Sequence, residues 1–470
     1  MSNCFSYQEL EKNRRTVGGT PVAEVLRRMR TEGVEICGLG VANLPLLTLL
    51  PSLGIQIRTV RDRYLSESGV AAALSVGARP LSGDGYLAEP LCGVVLRTPS
   101  LRPDDPALVS ARARGALVTT EVALSLALTP ADVFAVTGSD GKTTTAMMTA
   151  KILETAGVRT FLGGNIGTPL LARVAEMRRG DAAVFELSSF QLSDLDPPKG
   201  RVAITNITEN HLDWHTDMAE YVATKARILG PSSAVLSGDC PMTAALRRPR
   251  DLLVSLADPP ASGAAFTLRH GTVYAEEEPL FRADCLPLVG RHHLANAMTA
   301  AALTHGAASP DAVATALRDF RGAPHRTEYL GVFRGVRCYD SSIDTTPSRT
   351  AATLSAFPRP PVVILGGRDK NLSFLPLADA LLRYASAAVV MGECKVKITE
   401  ALGMRDPHGR FPIREASDLA EAVHLGLCLA GEGGTLVLSP AATAFDAFRD
   451  YRDRGRAFAA ILREEENKGV

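Results

Sequence analysis

The sequence predicts an α/β protein of three domains in series, each built on a mainly parallel, doubly wound sheet. Three observations carry that expectation. Strand-like apolar runs alternate with helical segments from residue 34 to the C-terminus, the pattern that builds parallel sheets. Glycine-rich turns follow a strand in each of the first two parts, at Gly38-Leu39-Gly40 and at Thr137-Gly138-Ser139-Asp140-Gly141-Lys142-Thr143-Thr144. Linker-like segments, Leu128-Thr129-Pro130 and 321–326, divide the 470 residues into parts of a size usual for domains, roughly 150 residues each.

The first part, 1–129, reads as Rossmann-like, with strands at 34–37, 55–58, 93–97 and 115–118. Its Gly38-x-Gly40 turn suits a dinucleotide, a nucleotide-sugar pyrophosphate, or simply a tight strand-to-helix turn. No acidic residue closes the second strand as read here. Arg58 and Arg61 lie there instead, which fits a phosphate better than a ribose of NAD. The central part, 130–323, reads as an ATPase-like phosphate-loop domain with strands at 133–136, 182–186 and 201–205. Its segment 232–289, punctuated by Pro and Gly, reads as an antiparallel extension. The third part, 324–470, reads as Rossmann-like again, with strands at 336–339, 361–365, 387–391 and 435–438.

Composition narrows the function. Lys+Arg and Asp+Glu balance at 51 each, which argues against nucleic-acid or anionic-membrane binding driven by bulk charge. The longest apolar stretch, 41–55, contains Asn43, Pro45 and Pro51 and is too short to cross a bilayer. Residues 1–5 carry no basic segment leading into an apolar core, so no secretory signal is read. Eight cysteines are scattered with no Cys-x-x-Cys pair, as expected of reduced thiols in the cytoplasm.

The chemistry concentrates in the central part. The apolar run 133–136 breaks into Gly138-x-x-Gly141-Lys142-Thr143 and then a helical segment, the physical recipe for holding a triphosphate. Backbone N–H groups converge on phosphate oxygens and the helix N-terminus adds positive potential. Lys142 supplies charge to the outer phosphates, and the Thr143 hydroxyl is placed to ligate magnesium. The eight-residue phosphate-loop pattern wants glycine where Val136 stands. Glu186 ends an apolar strand, where a magnesium ligand belongs beside a phosphate loop; the other reading is an acid at a helix N-terminus. Gly163-Gly164-Asn165-Ile166-Gly167 is a glycine turn around one amide. His211 follows the third strand, a better placement for a ligand than a lone histidine usually has. Lys225 sits in a helical run and, from the residues alone, reads as a solvated surface group.

Taken in order, several motifs resemble the Mur ligase family. They are the phosphate loop 137–144, Gly164-Asn165-Ile166-Gly167, Glu186-Leu187-Ser188-Ser189-Phe190-Gln191-Leu192 and Asn206-x-x-Glu209-x-His211-Leu212-Asp213. Further along come Gly290-Arg291-His292-His293-Leu294-Ala295-Asn296-Ala297, Pro324-His325-Arg326 and Leu365-Gly366-Gly367-x-x-Lys370. The 186–192 motif and Leu438-Ser439-Pro440-Ala441 with Phe445, Asp446 and Phe448 most resemble the members that add D-glutamate to UDP-N-acetylmuramoyl-L-alanine in peptidoglycan synthesis. The match runs from about residue 34 to the C-terminus.

The resemblance implies a cytoplasmic, monomeric ligase that uses ATP and Mg2+, with no nucleic-acid partner and no membrane insertion. ATP would activate a substrate carboxylate as an acyl phosphate, and an amine would displace the phosphate through a tetrahedral intermediate. Gly138, Ser139, Asp140, Gly141, Lys142, Thr143 and Thr144 would hold the phosphates, Asn296 the adenine, and Arg326 and Asp340 other parts of the nucleotide. Thr143 and Glu186 would hold one magnesium, and Glu186 and His211 would help hold a second. Lys225 would be carbamylated, becoming an acid beside the metal. Lys142, His211 and Lys225 are thus the catalytic candidates. Gly40, Val41, Ala42 and Asn43 would cradle the uridine diphosphate, Asn165 the muramoyl portion, and Lys370 a carboxylate of D-glutamate.

Two departures bear on the amino acid. Many members carry Asp-Ser-Lys-Ala-Thr-Asn where this chain has Asp340-Ser341-Ser342-Ile343-Asp344-Thr345, so an acid stands near the place expected to meet D-glutamate. A family serine is Ala444 here, leaving the Thr443 hydroxyl one position earlier as the candidate contact. The rival readings are another step of the same family or a folylpolyglutamate synthase-like ligase, which would not need the 38–43 turn. A catalytically silent nucleotide-binding regulator is opposed by the intact Lys142, Thr143, Glu186, His211 and Lys225. An NAD oxidoreductase is opposed by the missing acid after the second strand.

Overall fold

The computed structural model describes residues 15–370 and 372–467; the N-terminal residues 1–5, including Cys4, lie outside them. The fold is α/β with three mainly parallel sheets. By compactness the chain forms two units, Met1–Ala283 with Ala295–Leu317, and Asp284–Leu294 with Arg318–Val470.

The first unit holds a two-stranded antiparallel ribbon, Thr16–Val17 with Thr20–Pro21, and two large sheets. One has five parallel strands in the spatial order Arg79–Ser82, Ile57–Asp62, Val34–Cys37, Val94–Arg97, Leu117–Thr119. Strands Val34–Cys37 and Val94–Arg97 are buried at every position, as expected where helices cover both faces of a parallel sheet. The 38–43 turn leaves the central strand where the strand order reverses, the place at which open α/β sheets bind ligands.

The second strand runs on to Asp62 rather than ending at Arg58. An acidic residue therefore does close it, and the sequence-based argument from a missing acid does not hold. Parallel pairing with both neighbours extends the strand through the charged residues. Asp62 accepts a hydrogen bond from Leu39 N at 2.7 Å, fixing the glycine turn. Arg61 is buried and paired with Glu35 at 2.7 Å, whereas Arg58 is exposed.

The other sheet of this unit has nine strands. Asp132–Thr137 lies between Ala182–Glu186, with Thr160–Gly164 beyond it, and Arg201–Ile204. On the far side follow Ala234–Ser237, Leu252–Ser255, Phe266–Arg269, Thr272–Ala275 and Glu278–Arg282. The expected antiparallel extension is only its end: the first three of these strands pair in parallel, and only the last two pairings are antiparallel, so that Thr272–Ala275 alone runs against the sheet. Their crossovers are too short to carry a readable helical period; one helix, Pro241–Ala244, spans four residues. A continuous apolar core joins Val34 and Ile36 of the first sheet, through Val122 and Leu126, to Val133 and Phe185 of the second.

The second unit carries a six-stranded sheet in the order Glu328–Phe333, Val336–Asp340, Thr435–Leu438, Val362–Gly366, Ala387–Met391, Ile413–Glu415. It is parallel except for the antiparallel first pair. Apolar clusters cover it, one including Leu365, Leu377 and Val437, another including Ile364, Val423 and Leu438. Among the described residues no helix is long and apolar enough to cross a membrane.

Candidate active site

Strand Asp132–Thr137 delivers the chain into a loop that only glycine at two positions allows. Gly138 has φ 152°, and a Cβ there would fall 1.9 Å from Thr205 Oγ1. Gly141, at φ 79°, caps helix Lys142–Thr155, and a Cβ would fall 2.3 Å from Asn296 Oδ1. The neighbouring turn fixes the loop's shape. Ser139 N donates to Asn206 O and Asp140 N to Asn206 Oδ1, both at 2.9 Å, while Thr205 Oγ1 donates to Asp140 O at 2.6 Å. Ser139 Oγ also lies 2.9 Å from Tyr221 OH and donates to Thr208 O. Thr144 is buried in the first turn of the helix.

The charged groups gather at this loop. Lys142 Nζ donates to Gly138 O at 2.9 Å and to Ser139 O at 2.8 Å. Thr143 Oγ1 donates to Glu186 Oε2, and Asn165 Nδ2 to Glu186 Oε1, both at 2.7 Å. Glu186 is 1 % exposed and has no ion-pair partner among the described residues. A buried carboxyl group met by a hydroxyl and an amide offers the hard oxygen donors that magnesium takes, so the Thr143/Glu186 pair fits that ion.

Lys225 is equally buried, against the expectation of a surface group from the residues alone. Its Nζ donates to Gly138 O at 2.7 Å. Burial first, and the nearby Lys142 second, pull its pKa down to about 7. His211 sits on an exposed turn with φ 55°. Burial of its ring, then Lys142 and Lys225, lower its pKa, with Asp213 opposing. Its ring packs edge-on against Phe190, centroids 5.1 Å apart, four residues beyond Glu186. Asn296 is buried against Gly141.

In the first sheet's turn, Gly40 and Val41 are exposed and Ala42 half-buried. Asn43 is buried, donating Nδ2 to Gly38 O at 2.8 Å and leaving Oδ1 without a partner. In the second unit, Asp340 is buried, 2.7 Å from His325 Nδ1, and accepts from Ser342 N at 2.8 Å. The bond to Asp340 raises the His325 pKa. Arg326 and Lys370 are exposed. Thr443 is buried, its hydroxyl donating to Arg368 O at 3.1 Å. Asp344 turns inward: it accepts from Thr353 Oγ1 at 2.7 Å and Ser439 Oγ at 2.8 Å.

Comparison with known proteins places this arrangement. Residues 136–304 match the model of the Mur ligase middle domain. The chain is 37% identical over 448 residues to a UDP-N-acetylmuramoylalanine–D-glutamate ligase of Symbiobacterium thermophilum, covering 92% of this chain and 98% of that one. It is 33% identical over 443 residues to the protein of the same name from Clostridium tetani, covering 92% and 96%.

The chain belongs to the Mur ligase family. In fold it is similar to solved structures of a UDP-N-acetylmuramate–alanine ligase from Thermotoga maritima (TM-score 0.55, 20% identity, 92% of this chain and 99% of that one). It is likewise similar to a UDP-N-acetylmuramoyl-L-alanyl-D-glutamate–2,6-diaminopimelate ligase (TM-score 0.57, 16% identity, 86% and 89%).

Around this Mur ligase's phosphate loop, sequence reasoning missed several groups. Tyr221 braces Ser139 and lies under the Lys225 ammonium, 4.6 Å from its ring centre. Phe190, Trp214 and His215 form an aromatic row beneath His211. In the second unit Arg454, fully buried, donates to the carbonyls of Gly366, Ser342 and Ala442, tying three loops together. Of these, only Phe190 stood inside a motif quoted from the sequence, the 186–192 run; the others carried no local signal.

Proposed function

We infer that this Mur ligase is an ATP-dependent enzyme that joins D-glutamate to UDP-N-acetylmuramoyl-L-alanine in peptidoglycan synthesis. The observation that carries the ATP part is the row Thr143–Glu186–Asn165 at the tips of adjacent parallel strands, with Lys142 and Lys225 meeting on Gly138 O. The identity of the two substrates is supported by the names of relatives that match over nine-tenths of the chain.

In this reading the loop 138–144 receives the ATP phosphates on its backbone N–H groups, and Lys142 swings from the Gly138 and Ser139 carbonyls to the γ-phosphate. The muramoyl-alanine carboxylate attacks that phosphorus, ADP leaves, and an acyl phosphate forms. The amine of D-glutamate then adds to the acyl carbon, and collapse of the tetrahedral intermediate expels phosphate. Thr143, Glu186 and His211 hold Mg2+, which when bound neutralises phosphoryl charge. A lysine with a pKa of about 7 is largely the free amine at mildly alkaline pH. Lys225 can therefore take up carbon dioxide, releasing a proton and becoming a carbamate at the phosphate loop, where its nitrogen meets Gly138 O.

Asn296, buried against Gly141, takes the adenine, and the family resemblance assigns Arg326 and Asp340 to the nucleotide. Gly40, Val41, Ala42 and Asn43 take the uridine diphosphate, and Asn165 faces the muramoyl portion. Lys370 and Thr443 take D-glutamate; the inward turn of Asp344 removes the repulsion its charge threatened. We keep 1–129, 130–323 and 324–470 as the UDP-sugar, ATP and amino-acid parts of a cytoplasmic monomer. The test is phosphate release from ATP with UDP-N-acetylmuramoyl-L-alanine, scanning D-glutamate against other amino acids. Release with D-glutamate is expected; release only with another amino acid, or none, would defeat the assignment.

A further inference from the structure

After strand Val94–Arg97 the chain enters a loop, 98–104, that reaches the central sheet's two ligand-bearing turns. Arg97 is fully buried; it ion-pairs with Asp194 and donates to Ser193 Oγ at 3.2 Å. Those residues directly follow helix Ser189–Leu192, which itself follows Glu186. Arg102 grips the other turn. Its guanidinium carbon lies 4.7 Å from the centre of the Trp214 ring, while Nη1 donates to the Trp214 carbonyl and Nη2 to Glu220 Oε1 at 3.2 Å. Asp104 holds the same guanidinium through two bonds of 2.8 and 2.9 Å. Trp214 answers with its indole N–H on Ser100 O at 3.2 Å.

Trp214 is the hinge of the arrangement. Its ring stacks on Phe190 at 4.6 Å, and the same Phe190 ring supports His211. The N–H groups of Trp214 and His215 both donate to His211 O, at 3.1 and 3.0 Å. His211 itself holds a left-handed backbone at φ 55°, which a non-glycine residue keeps only when its surroundings impose it. At its other end the loop begins against the 38–43 turn, with Thr98 N donating to Cys37 O at 2.7 Å.

We propose that Arg102 is a positioning residue for the ligation: by seating Trp214 on Phe190 it sets the backbone and ring of His211 at the cation site. The inference rests on the reading of His211 as a magnesium-holding residue. A bond from a planar, bidentate-held guanidinium to one carbonyl and one ring fixes orientation as well as distance, which a lysine ammonium cannot do. Outer groups of this kind commonly change metal affinity or activity by about 10–100-fold when removed.

Because Trp214 is the only tryptophan, its fluorescence reports this turn directly. In the full-length enzyme, Mg2+ is titrated with adenylyl-imidodiphosphate present while Trp214 emission is followed, in parallel with steady-state kinetics. Arg102→Ala is expected to raise the half-saturating Mg2+ and to lower kcat, each about tenfold, with the ATP KM nearly unchanged; Arg102→Lys should fall between. Trp214→Phe keeps a ring on Phe190 and should retain most of kcat, whereas Trp214→Ala should copy Arg102→Ala.

A wild-type Mg2+ response and kcat in Arg102→Ala would overturn the proposal while leaving the function intact. So would a uniform drop in thermal midpoint and in every kinetic constant, the signature of mere interdomain glue. If the wild-type enzyme neither responds to Mg2+ nor releases phosphate, the functional reading fails and this inference with it.

Discussion

At the strand tips of the central sheet, Glu186 and Lys225 are buried with no ion-pair partners among the described residues. In the C-terminal unit the buried charged side chains join loops. Asp340 meets His325, Asp344 meets two hydroxyls, and Arg454 meets three carbonyls. Asp344 and Arg454 also lack ion-pair partners among the described residues, but their hydrogen bonds tie neighbouring loops together, whereas Glu186 and Lys225 are bound to the 138–143 loop and its surroundings. The contrast supports the proposed nucleotide and metal site as a cluster of charged groups set in advance, and the proposed amino-acid site as exposed groups such as Lys370 on loops joined by buried hydrogen bonds.

The largest expected effect tests the assembled site. Lys142→Ala should lower turnover by about 10²–10³-fold or more, as removal of one donor to developing charge does, while the thermal midpoint stays close to wild type. Near-normal turnover would remove the phosphate-loop assignment and with it the contrast.

Lys225→Met separates function from stability. Activity should be lost, and Lys225→Ala should regain part of its activity with short carboxylic acids that replace the carbamate. Stability should move the other way. The folded pKa of about 7 lies below the ordinary lysine value of 10.5, so between those pH values the unfolded chain binds more protons and wild-type stability rises with pH. In carbon dioxide-free buffer, the methionine variant should therefore exceed wild type most at and below about pH 7, with the gap closing toward pH 10.5. Thermal melts across that range decide it; a gap independent of pH would mean that Lys225 is not a buried, titrating amine.

Within the C-terminal unit the contrast predicts opposite outcomes at two charges. Lys370→Ala should raise the KM for D-glutamate about tenfold or more, the worth of one charged hydrogen bond, without changing stability, because the side chain is exposed. Asp344→Ala should instead leave that KM nearly unchanged and cost about 1–3 kcal/mol of stability, since the Ser439 and Thr353 hydroxyls lose their acceptor. An Asp344 variant that binds D-glutamate far more tightly would show that its charge does face the substrate.

How much of this was legible follows from the range of each interaction. The phosphate loop was readable because its glycines, lysine and threonine are demanded within a few residues by one strand-to-helix turn. The end of the second strand at Asp62 was not, because charged residues interrupt its apolar run and only pairing with two neighbouring strands extends it. The parallel strands of 234–269 hid behind Pro and Gly that suggest a meander. Lys225 looked like surface because the group that holds its ammonium end, the Gly138 carbonyl, lies 87 residues away. Arg102 and Trp214 meet across 112 residues, a separation that no local period records.

The smallest expected effect asks whether a buried charge outside the site behaves as the comparison requires. Glu121 is 3 % exposed, accepts from Leu171 N at 2.8 Å and Ser125 Oγ at 2.7 Å, and has no ion-pair partner among the described residues. Burial raises its pKa, opposed by those two hydrogen bonds. A carboxyl group whose folded pKa is raised is harmless below its unfolded pKa, where both states are protonated, and destabilises progressively as pH rises through the folded value. Glu121→Gln keeps an oxygen for both donors and removes the titration. The variant should match wild type in acid and become modestly more stable toward neutral pH, with kcat and all KM values unchanged. Lower stability at neutral pH would mean that the ionised form is favoured there, and that lone buried carboxylates in this chain need no ligand to justify them.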